Sequence, residues 1–364
     1  MNISLIFLGQ TGAGPVYSFE MAKALANTHK CKLQIIISEN IYNLNIWKKE
    51  FENSNVDFNI VKTYNHNNLS VFLQFFNFKR KYYIVSLVKK FNADIVYSPF
   101  VLLWARFIYF FLRKKRIVST IHDVKLHDSY HNIADLFTKI LNLGAMKFVD
   151  DIIILNHKDK AIVEKKYKKH TFVIPHACFN YYFSKQEINK KKINYKIGFL
   201  GRIEPYKGVD LLIDSFEKIS HNNVQLLIAG NGNLDKLTME RIAKNKKISI
   251  INRYIEDTEF KTILDNIDFL VLPYKRASQS GVIPLSFAYG KMVVATNVGA
   301  LPEQVPCGTG FIVPVDSEAI ADIIDYIYSN EEIIPQMGTN ARDYATQVLS
   351  WENSAKLFLE NIII

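Results

Sequence analysis

The chain has 364 residues, of which 49% are hydrophobic and 22% charged, a balance that excludes an intrinsically disordered protein and allows two domains with a core in each. Its three cysteines, Cys31, Cys178 and Cys307, are odd in number and far apart, which argues against a disulfide framework and for a reducing compartment. No C-x-x-C motif occurs, and we expect no metal site and no bound cofactor.

Short apolar runs rich in β-branched residues alternate with helix-like stretches along the whole chain. The first series of predicted strands comprises residues 3–8, 32–38, 94–98, 116–122 and 151–156. The second comprises residues 196–201, 224–230, 248–251, 268–273 and 292–296. Such runs are typical of parallel sheets covered on both faces, so we predict an α/β protein with two doubly wound, Rossmann-like domains. The lysine-rich segment 183–195 is the predicted linker, with a first domain over 1–182.

The loop after the first strand reads "GQTGAGP" and precedes a helix. Gly12, Ala13 and Gly14 would allow the backbone to approach a ligand, and the following helix N-terminus would favour an anion. The spacing differs from the dinucleotide motif G-x-G-x-x-G. A plain tight turn between strand and helix is the alternative interpretation.

The loop after the strand at 196–201 reads "GRIEPYKG". Gly201 ends the strand, and Arg202 and Lys207 follow it in the same loop. Arginine can hold phosphate oxygens in a bidentate manner, and lysine adds a point charge. Two cations at a strand end therefore predict a clamp for a diphosphate, and this is the strongest local signal in the chain.

His122 follows the strand at 116–122 in the segment "TIHD". A neutral imidazole at a strand end can hydrogen-bond a sugar hydroxyl or move a proton. A buried structural histidine is the alternative.

The segment "YKRASQSGVIPLSFAYGK" (274–291) lies between two predicted strands and contains no carboxylate. A helix is expected to begin near Val282. We expect the loop and first turn, Ser280, Gly281, Val282 and Ile283, to offer neutral hydrogen bonds to sugar hydroxyls or phosphate oxygens.

The basic charge is concentrated in the first half of the chain. Residues 1–180 hold 25 Lys and Arg against 13 Asp and Glu, whereas the remainder holds 20 against 22. Much of the excess lies beside aromatic runs, at 72–91 and 107–116. Either these segments contact an anionic membrane surface, or the aromatics are core and the lysines form a solvated rim. The most apolar run, 100–112, is too short to span a bilayer, and the N-terminus does not resemble a signal peptide, so we expect a cytoplasmic protein.

The second half resembles the family-4 retaining glycosyltransferases of the GT-B fold. The resemblance rests on "GFLGRIEPYKGVDLLIDSF", "LLIAGNG", "FLVLPY" and "GKMVVATNVGALPEQVPCGTGFIVP", in this order, and covers most of residues 196–315. The N-terminal half agrees more loosely. The resemblance implies a nucleotide-sugar-binding domain over 196–345 and a terminal helix, within 346–364, that returns to the first domain.

The resemblance also implies a role for each candidate residue. Arg202 and Lys207 would hold the donor diphosphate without a metal, and His122 would contact the donor sugar. The 12–14 loop would lie under the sugar and phosphates. Arg253 and Tyr254 fall where relatives contact the nucleobase.

One departure from the family concerns two glutamates that many members carry with seven residues between them. Alignment without gaps places Ala277 and Leu285 at these positions, and a one-residue gap places Ser278 and Ser286 there. Leu285 thus takes the place of the acid associated with the ribose, and Glu303 is a nearby acid that would partly substitute for it.

These features predict a hexosyltransferase that acts with retention on a UDP- or GDP-linked sugar donor. The acceptor would be a polyprenyl-diphosphate-linked oligosaccharide of O-antigen, capsule or lipopolysaccharide type, at the inner face of the cytoplasmic membrane. Two alternatives are a sugar-nucleotide 2-epimerase of the same fold and an inactive partner subunit. We expect no nucleic-acid partner.

Overall fold

The computed structural model describes residues 1–63, 77–100, 104–122, 124, 144–179 and 195–362. The chain divides into two compact units, one of Met1–Pro175 with Trp351–Ile364, and one of His176–Ser350. The division therefore falls at 175/176, whereas the sequence suggested 182. Nearly all of the predicted linker, 183–194, lies outside the described residues. The three cysteines are free thiols.

The first unit is built on a parallel sheet whose described strands number seven. They are β1 (Asn2–Phe7), β2 (Lys32–Ser38), β3 (Asp57–Val61), β4 (Ile95–Ser98), β5 (Arg116–Ile121), β6 (Asp151–Ile154) and β7 (His170–Val173), in the order β3-β2-β1-β4-β5-β6-β7. Its helices include α1 (Gly14–Asn27), α2 (Leu44–Phe51), α3 (Phe78–Lys90), α4 (Ala105–Leu112) and α5 (Lys160–Tyr167). All strand pairs in it are parallel.

The second unit contains a parallel sheet of six described strands. They are β8 (Lys196–Leu200), β9 (Gln225–Gly230), β10 (Ile248–Asn252), β11 (Phe269–Leu272), β12 (Val293–Thr296) and β13 (Gly310–Val313), in the order β10-β9-β8-β11-β12-β13. Its helices include α6 (Val209–Phe216), α7 (Lys236–Lys244), α8 (Phe260–Asp265), α9 (Val282–Ala288), α10 (Leu301–Gln304), α11 (Ser317–Ser329) and α12 (Ile333–Gln347). The prediction of two doubly wound parallel sheets is confirmed.

All ten predicted strands are present, and three further strands were missed. The missed strands, β3, β7 and β13, each lie at the edge of a sheet. Central strands such as β4 and β12 are buried at every residue, whereas β3 and β13 are only partly buried. These three strands are not covered on every side, and their sequences lack the long continuous apolar run on which the prediction relied.

The last helix, α13 (Trp351–Ile362), belongs to the first unit and packs against α1. Trp351 meets Tyr17 edge-on with ring centroids 4.9 Å apart, and Phe358 packs on Tyr97 at 4.6 Å. Both α13 rings are almost fully buried. The apolar face of this helix is therefore part of the first unit's core, although the second unit separates it in sequence from the rest. No helix in the described ranges is both long enough and apolar enough to cross a bilayer.

Arg116 fastens the end of α13 to the sheet. Its Nε donates to Asp151 Oδ2 at 2.6 Å, and its Nη1 donates to the carbonyl of Ile362 at 2.5 Å. Asp151 also accepts a hydrogen bond from His170 Nδ1 at 2.8 Å, and its side chain is only 5% exposed. The Asp151 carboxylate beside it raises the pKa of the Arg116 guanidinium.

We expect Arg116→Met to destabilise the first unit by about 2–4 kcal/mol, because it leaves the buried Asp151 carboxylate without its main partner. Calorimetry should show a lower melting temperature for this variant. Arg106→Met removes an exposed arginine of the same unit and serves as the control. Equal melting temperatures for both variants would contradict the assigned role of Arg116.

Candidate functional site

The order of strands locates a ligand-binding edge in each unit. The order reverses at β1, which lies between β2 and β4, and at β8, which lies between β9 and β11. In open parallel sheets, ligands bind outside the carboxyl ends of the strands at such switch points. The predicted site residues follow these strands or others of the same two sheets.

In the first unit, the glycine loop lies directly at the end of β1. Gly12 has φ of +78° and nothing within 4 Å of where a Cβ would stand, so the backbone here is uncovered and requires glycine. Ala13 is exposed and caps α1, where its carbonyl accepts from Tyr17 N at 3.0 Å. Gly14 is buried, and a Cβ there would approach the Phe7 ring to 2.9 Å. The loop is thus an open backbone surface packed on an aromatic floor.

His122 lies at the end of β5 in a set of aromatic rings. Phe100 stacks on the imidazole with centroids 3.7 Å apart and planes 8° from parallel. Tyr17 meets the imidazole edge-on at 4.7 Å. His122 Nε2 lies 2.9 Å from the carbonyl of Pro99, which orients the ring. Asp123, the next residue of the motif, lies outside the described residues.

In the second unit, the loop after β8 carries both predicted cations. Gly201 directly follows the strand, and a short 3-10 turn, Pro205–Lys207, leads into α6. The Arg202 side chain is 72% exposed, with Glu204 at 4.0 Å as a loose partner. Gly208 has φ of +70°, and a Cβ there would lie 2.0 Å from the carbonyl oxygen of Pro273, so glycine is required where this loop meets the end of β11.

Lys207 differs from an ordinary surface lysine. Its Nζ lies 3.7 Å from the centroid of the Tyr274 ring and 5.3 Å from that of Tyr206. The pKa of Lys207 is lowered to about 8, mainly by burial, and the positive charge of Arg202 acts in the same direction. Arg202 and Lys207 therefore interact electrostatically within one loop.

Tyr274 is the site residue that sequence reasoning missed. Its ring is fully buried beneath Lys207, and its hydroxyl lies 3.2 Å from Ser280 Oγ. Thr296 Oγ1 donates to its carbonyl at 2.5 Å, and burial raises the pKa of the phenol to about 12. The ring is thus a rigid support for the ammonium group. The "LPY" motif after β11 was the available signal, but a tyrosine at a strand end is too common to stand out.

The loop before α9 is held by a glutamine that the sequence did not suggest. Gln304 accepts from Ser280 N at 2.7 Å and donates to the Ser280 carbonyl at 3.1 Å. Val282 N donates to Ser280 Oγ at 3.3 Å. The expectation that the Ser280 amide serves a ligand is therefore wrong, because that amide already donates within the protein.

The residues that follow Ser280 differ in their exposure to solvent. Gly281 is exposed, with nothing within 4 Å of a Cβ position, and α9 begins at Val282 as predicted. Ile283 is fully buried, and Leu285 is only 3% exposed, so neither side chain lies where a ligand would contact it. The assignment of Leu285 to the ribose does not fit this placement.

Neither alignment of the missing glutamates restores a charge at this edge. Ser286 is fully buried and donates to the carbonyl of Lys291 at 2.9 Å, and Ser278 contributes a carbonyl that accepts from Ala300 N. The loop is held by neutral hydrogen bonds. Glu303 is half-buried in the first turn of α10. The pKa of Tyr344 is raised mainly by burial of its phenol, and the negative charge of Glu303 raises it as well.

Arg253 and Tyr254 follow β10 at the same edge. Arg253 makes a bidentate ion pair with Glu259, with distances of 2.8 Å and 2.6 Å, and this arginine holds the pKa of Glu259 at about 2. The Tyr254 ring is 66% exposed. Arg253 and Tyr254 thus present a flat guanidinium and a flat ring, both of which are suited to stacking on a base. Among the described residues, no three side chains of His, Cys, Asp or Glu are placed to hold a metal ion together.

Comparison with known proteins agrees with the predicted family. Residues 194–330 match the family model described as Glycosyl transferases group 1. An uncharacterized glycosyltransferase of Methanocaldococcus jannaschii is 30% identical over 208 residues, which is 54% of this chain and 57% of that protein. CapM of Staphylococcus aureus, a capsular polysaccharide biosynthesis glycosyltransferase, is 29% identical over 178 residues, 45% of this chain and 46% of CapM. The chain spans about half the length of these curated relatives.

The fold is shared along the whole chain. Anabaena HepE in complex with UDP superposes with a TM-score of 0.71 at 17% identity, covering 100% of both chains. Residues 194–330 are therefore similar to the glycosyl transferases group 1 family, within a chain of the GT-B fold.

Proposed function

We propose that this protein is a glycosyltransferase that moves a hexose, with retention, from a nucleotide-sugar donor to a lipid-linked oligosaccharide. The observation that carries the proposal is the pair Arg202 and Lys207 at the β8 switch point, one cation exposed and the other supported by a buried ring. This pair matches the charge of a diphosphate.

The donor side of the proposal rests on how charge develops in the reaction. When the bond between the anomeric carbon and the diphosphate breaks, negative charge grows on the departing oxygens. Arg202 and Lys207 stabilise that charge without a metal ion, and the acceptor hydroxyl passes its proton to a departing diphosphate oxygen as its own oxygen bonds the same carbon. UDP in the HepE complex supports a nucleoside diphosphate as the ligand. UDP- and GDP-linked sugars remain the two donor classes.

The remaining residues take supporting roles. His122, held by Phe100 and Pro99, contacts a sugar hydroxyl, and the backbone of residues 12–14 lies under sugar and phosphates. Arg253 and Tyr254 stack on the base, and Gly281 leaves space for the ligand. Glu303 supplies the one acid assigned to the ribose.

The acceptor side rests on the relatives and on the basic first half of the chain. CapM acts in capsular polysaccharide biosynthesis, which supports a role in capsule, O-antigen or lipopolysaccharide assembly on the cytoplasmic side of the membrane. The comparisons do not favour the epimerase or the inactive partner subunit.

The protein is incubated with a polyprenyl-diphosphate-linked acceptor and, in turn, with each member of a panel of UDP- and GDP-sugars. We expect one of these donors to release nucleoside diphosphate, which a coupled assay measures. We expect Arg202→Ala to lower kcat/KM by about 100-fold or more, because the variant lacks the guanidinium that stabilises the negative charge of the departing diphosphate. Lys275→Ala is the control, because this exposed lysine pairs with Asp210. An isomerised donor would indicate an epimerase, and silence with all donors would indicate an inactive subunit.

The charge state of Lys207 should appear in the pH dependence. Its pKa of about 8 means that the ammonium is present below pH 8 and is lost above it. We therefore expect kcat/KM for the donor to fall as pH rises through about 8, whereas kcat stays flatter because a bound diphosphate stabilises the ammonium. Lys207→Arg should abolish this fall, since arginine keeps its charge. A fall that persists in Lys207→Arg would assign the titration to another group.

Tyr274 should act through Lys207. We expect Tyr274→Leu to raise the KM for the donor about 3- to 30-fold, because the ring that supports the ammonium is lost. Tyr274→Phe keeps the ring and should stay close to wild type. The two variants are also compared in a Lys207→Ala background, where the Leu effect should vanish. Equal losses with and without Lys207 would show that Tyr274 is merely a core residue.

A further inference from the structure

Helix α3 exposes a row of large aromatic side chains to solvent. Phe78, Tyr82 and Tyr83 are each more than half exposed, although α3 buries Ile84, Val85 and Val88 on its other side. Single exposed apolar side chains are ordinary, but three on one helical face form a patch.

Helix α4 extends this patch. Phe110 and Phe111 are 43% and 38% exposed, and α4 packs beside α3. The Tyr82 and Phe111 rings meet edge-on with centroids 6.2 Å apart, so the exposed rings of the two helices are continuous. We call the surface of Phe78, Tyr82, Tyr83, Phe110 and Phe111, with the exposed cations among them, the docking face.

The charges on the docking face have one sign. Its exposed cations are Lys79, Lys89, Lys90, Arg113 and Lys114. Residues 77–93 and 104–116 contain no Asp or Glu. The Arg113 guanidinium lies 4.4 Å from the Phe110 centroid, so cation and ring occupy the same place on the surface. Aromatic rings interleaved with uncompensated cations match a surface that is apolar at depth and anionic at its outer layer.

A groove beside the docking face offers room for a headgroup. It has a volume of about 720 Å³ and lies between the end of β3 and the start of α3. Lys62, Lys79 and Arg80 line it together with Tyr82 and Tyr83. No acidic residue lines it.

We propose that the docking face binds the surface of an anionic lipid bilayer, with the aromatic rings in the interfacial layer and a lipid phosphate in the groove. A second copy of the chain fits less well, because two such faces would bring like charges together. The solvated-rim interpretation also fits less well, because the aromatics themselves are exposed. The proposal concerns where the protein sits and is independent of donor chemistry.

The test is co-sedimentation of the full-length protein with vesicles. We expect binding to vesicles containing phosphatidylglycerol at about 0.05 M NaCl, at least about 10-fold weaker binding at about 0.5 M, and little binding to pure phosphatidylcholine. Inorganic phosphate at millimolar concentration should not release the protein, which distinguishes a lipid headgroup from free phosphate as the ligand.

Two pairs of variants separate charge from ring insertion. Lys89→Glu with Lys114→Glu should weaken binding at least about 10-fold. The control, Lys165→Glu with Lys166→Glu, makes the same change of net charge on exposed residues of α5 in the same unit. Tyr82→Ser with Phe111→Ser should also weaken binding about 10-fold. Tyr326→Ser, at a ring of similar exposure on α11, should leave binding unchanged.

Three results would overturn the proposal. The first is equal binding by docking-face and control variants. The second is binding that depends on the lysines but not on the rings, which would mean adsorption by charge alone. The third is a concentration-dependent dimer in light scattering that the same variants abolish, without vesicle binding. Because nucleotide release is measured separately, failure of the transferase assay leaves this test intact.

Discussion

The architecture of the candidate site depends on one constraint, namely that parallel strands deliver their following loops to a single edge of a sheet. In the second unit β8 lies between β9 and β11, so the loops after these strands meet at the carboxyl edge. Gly208 shows how closely they meet, because the Pro273 carbonyl fills the space of its missing side chain. Arg202 and Lys207 share one loop, whereas Tyr274 is brought beside Lys207 by this edge and not by proximity in sequence.

Charge and shape are divided between different loops at that edge. The loop after β8 carries both cations of the proposed clamp, and residues 274–291 contain no Asp or Glu. Instead Gln304, Ser280 and Tyr274 form a chain of neutral hydrogen bonds that ends at the ring under Lys207. The loop is thus held without charged groups, and Tyr274, which takes part in these hydrogen bonds, also helps to bury Lys207.

How far the sequence predicts the fold depends on the position of each strand in its sheet. Central strands carry unbroken apolar runs, and all of them were predicted. The edge strands β3, β7 and β13 carry polar or short sequences, such as "DFNIV", and were missed. The cation pair was predicted because its residues follow a clear strand within six positions. Tyr274 and Gln304 were missed because their roles depend on residues distant in the chain.

The sequence by itself determined the two parallel sheets, the loop that carries Arg202 and Lys207, and the absence of acids between Tyr274 and Lys291, because these are local patterns of residue type and spacing. Only the tertiary structure decided that the Ser280 amide is occupied, that Leu285 is core, and that the rings of α3 and α4 face solvent. The physical reason is that the exposure of a side chain is set by neighbours from other elements. The same aromatic and basic residues could occur in a buried helix or in an exposed one, and the sequence pattern alone does not distinguish the two.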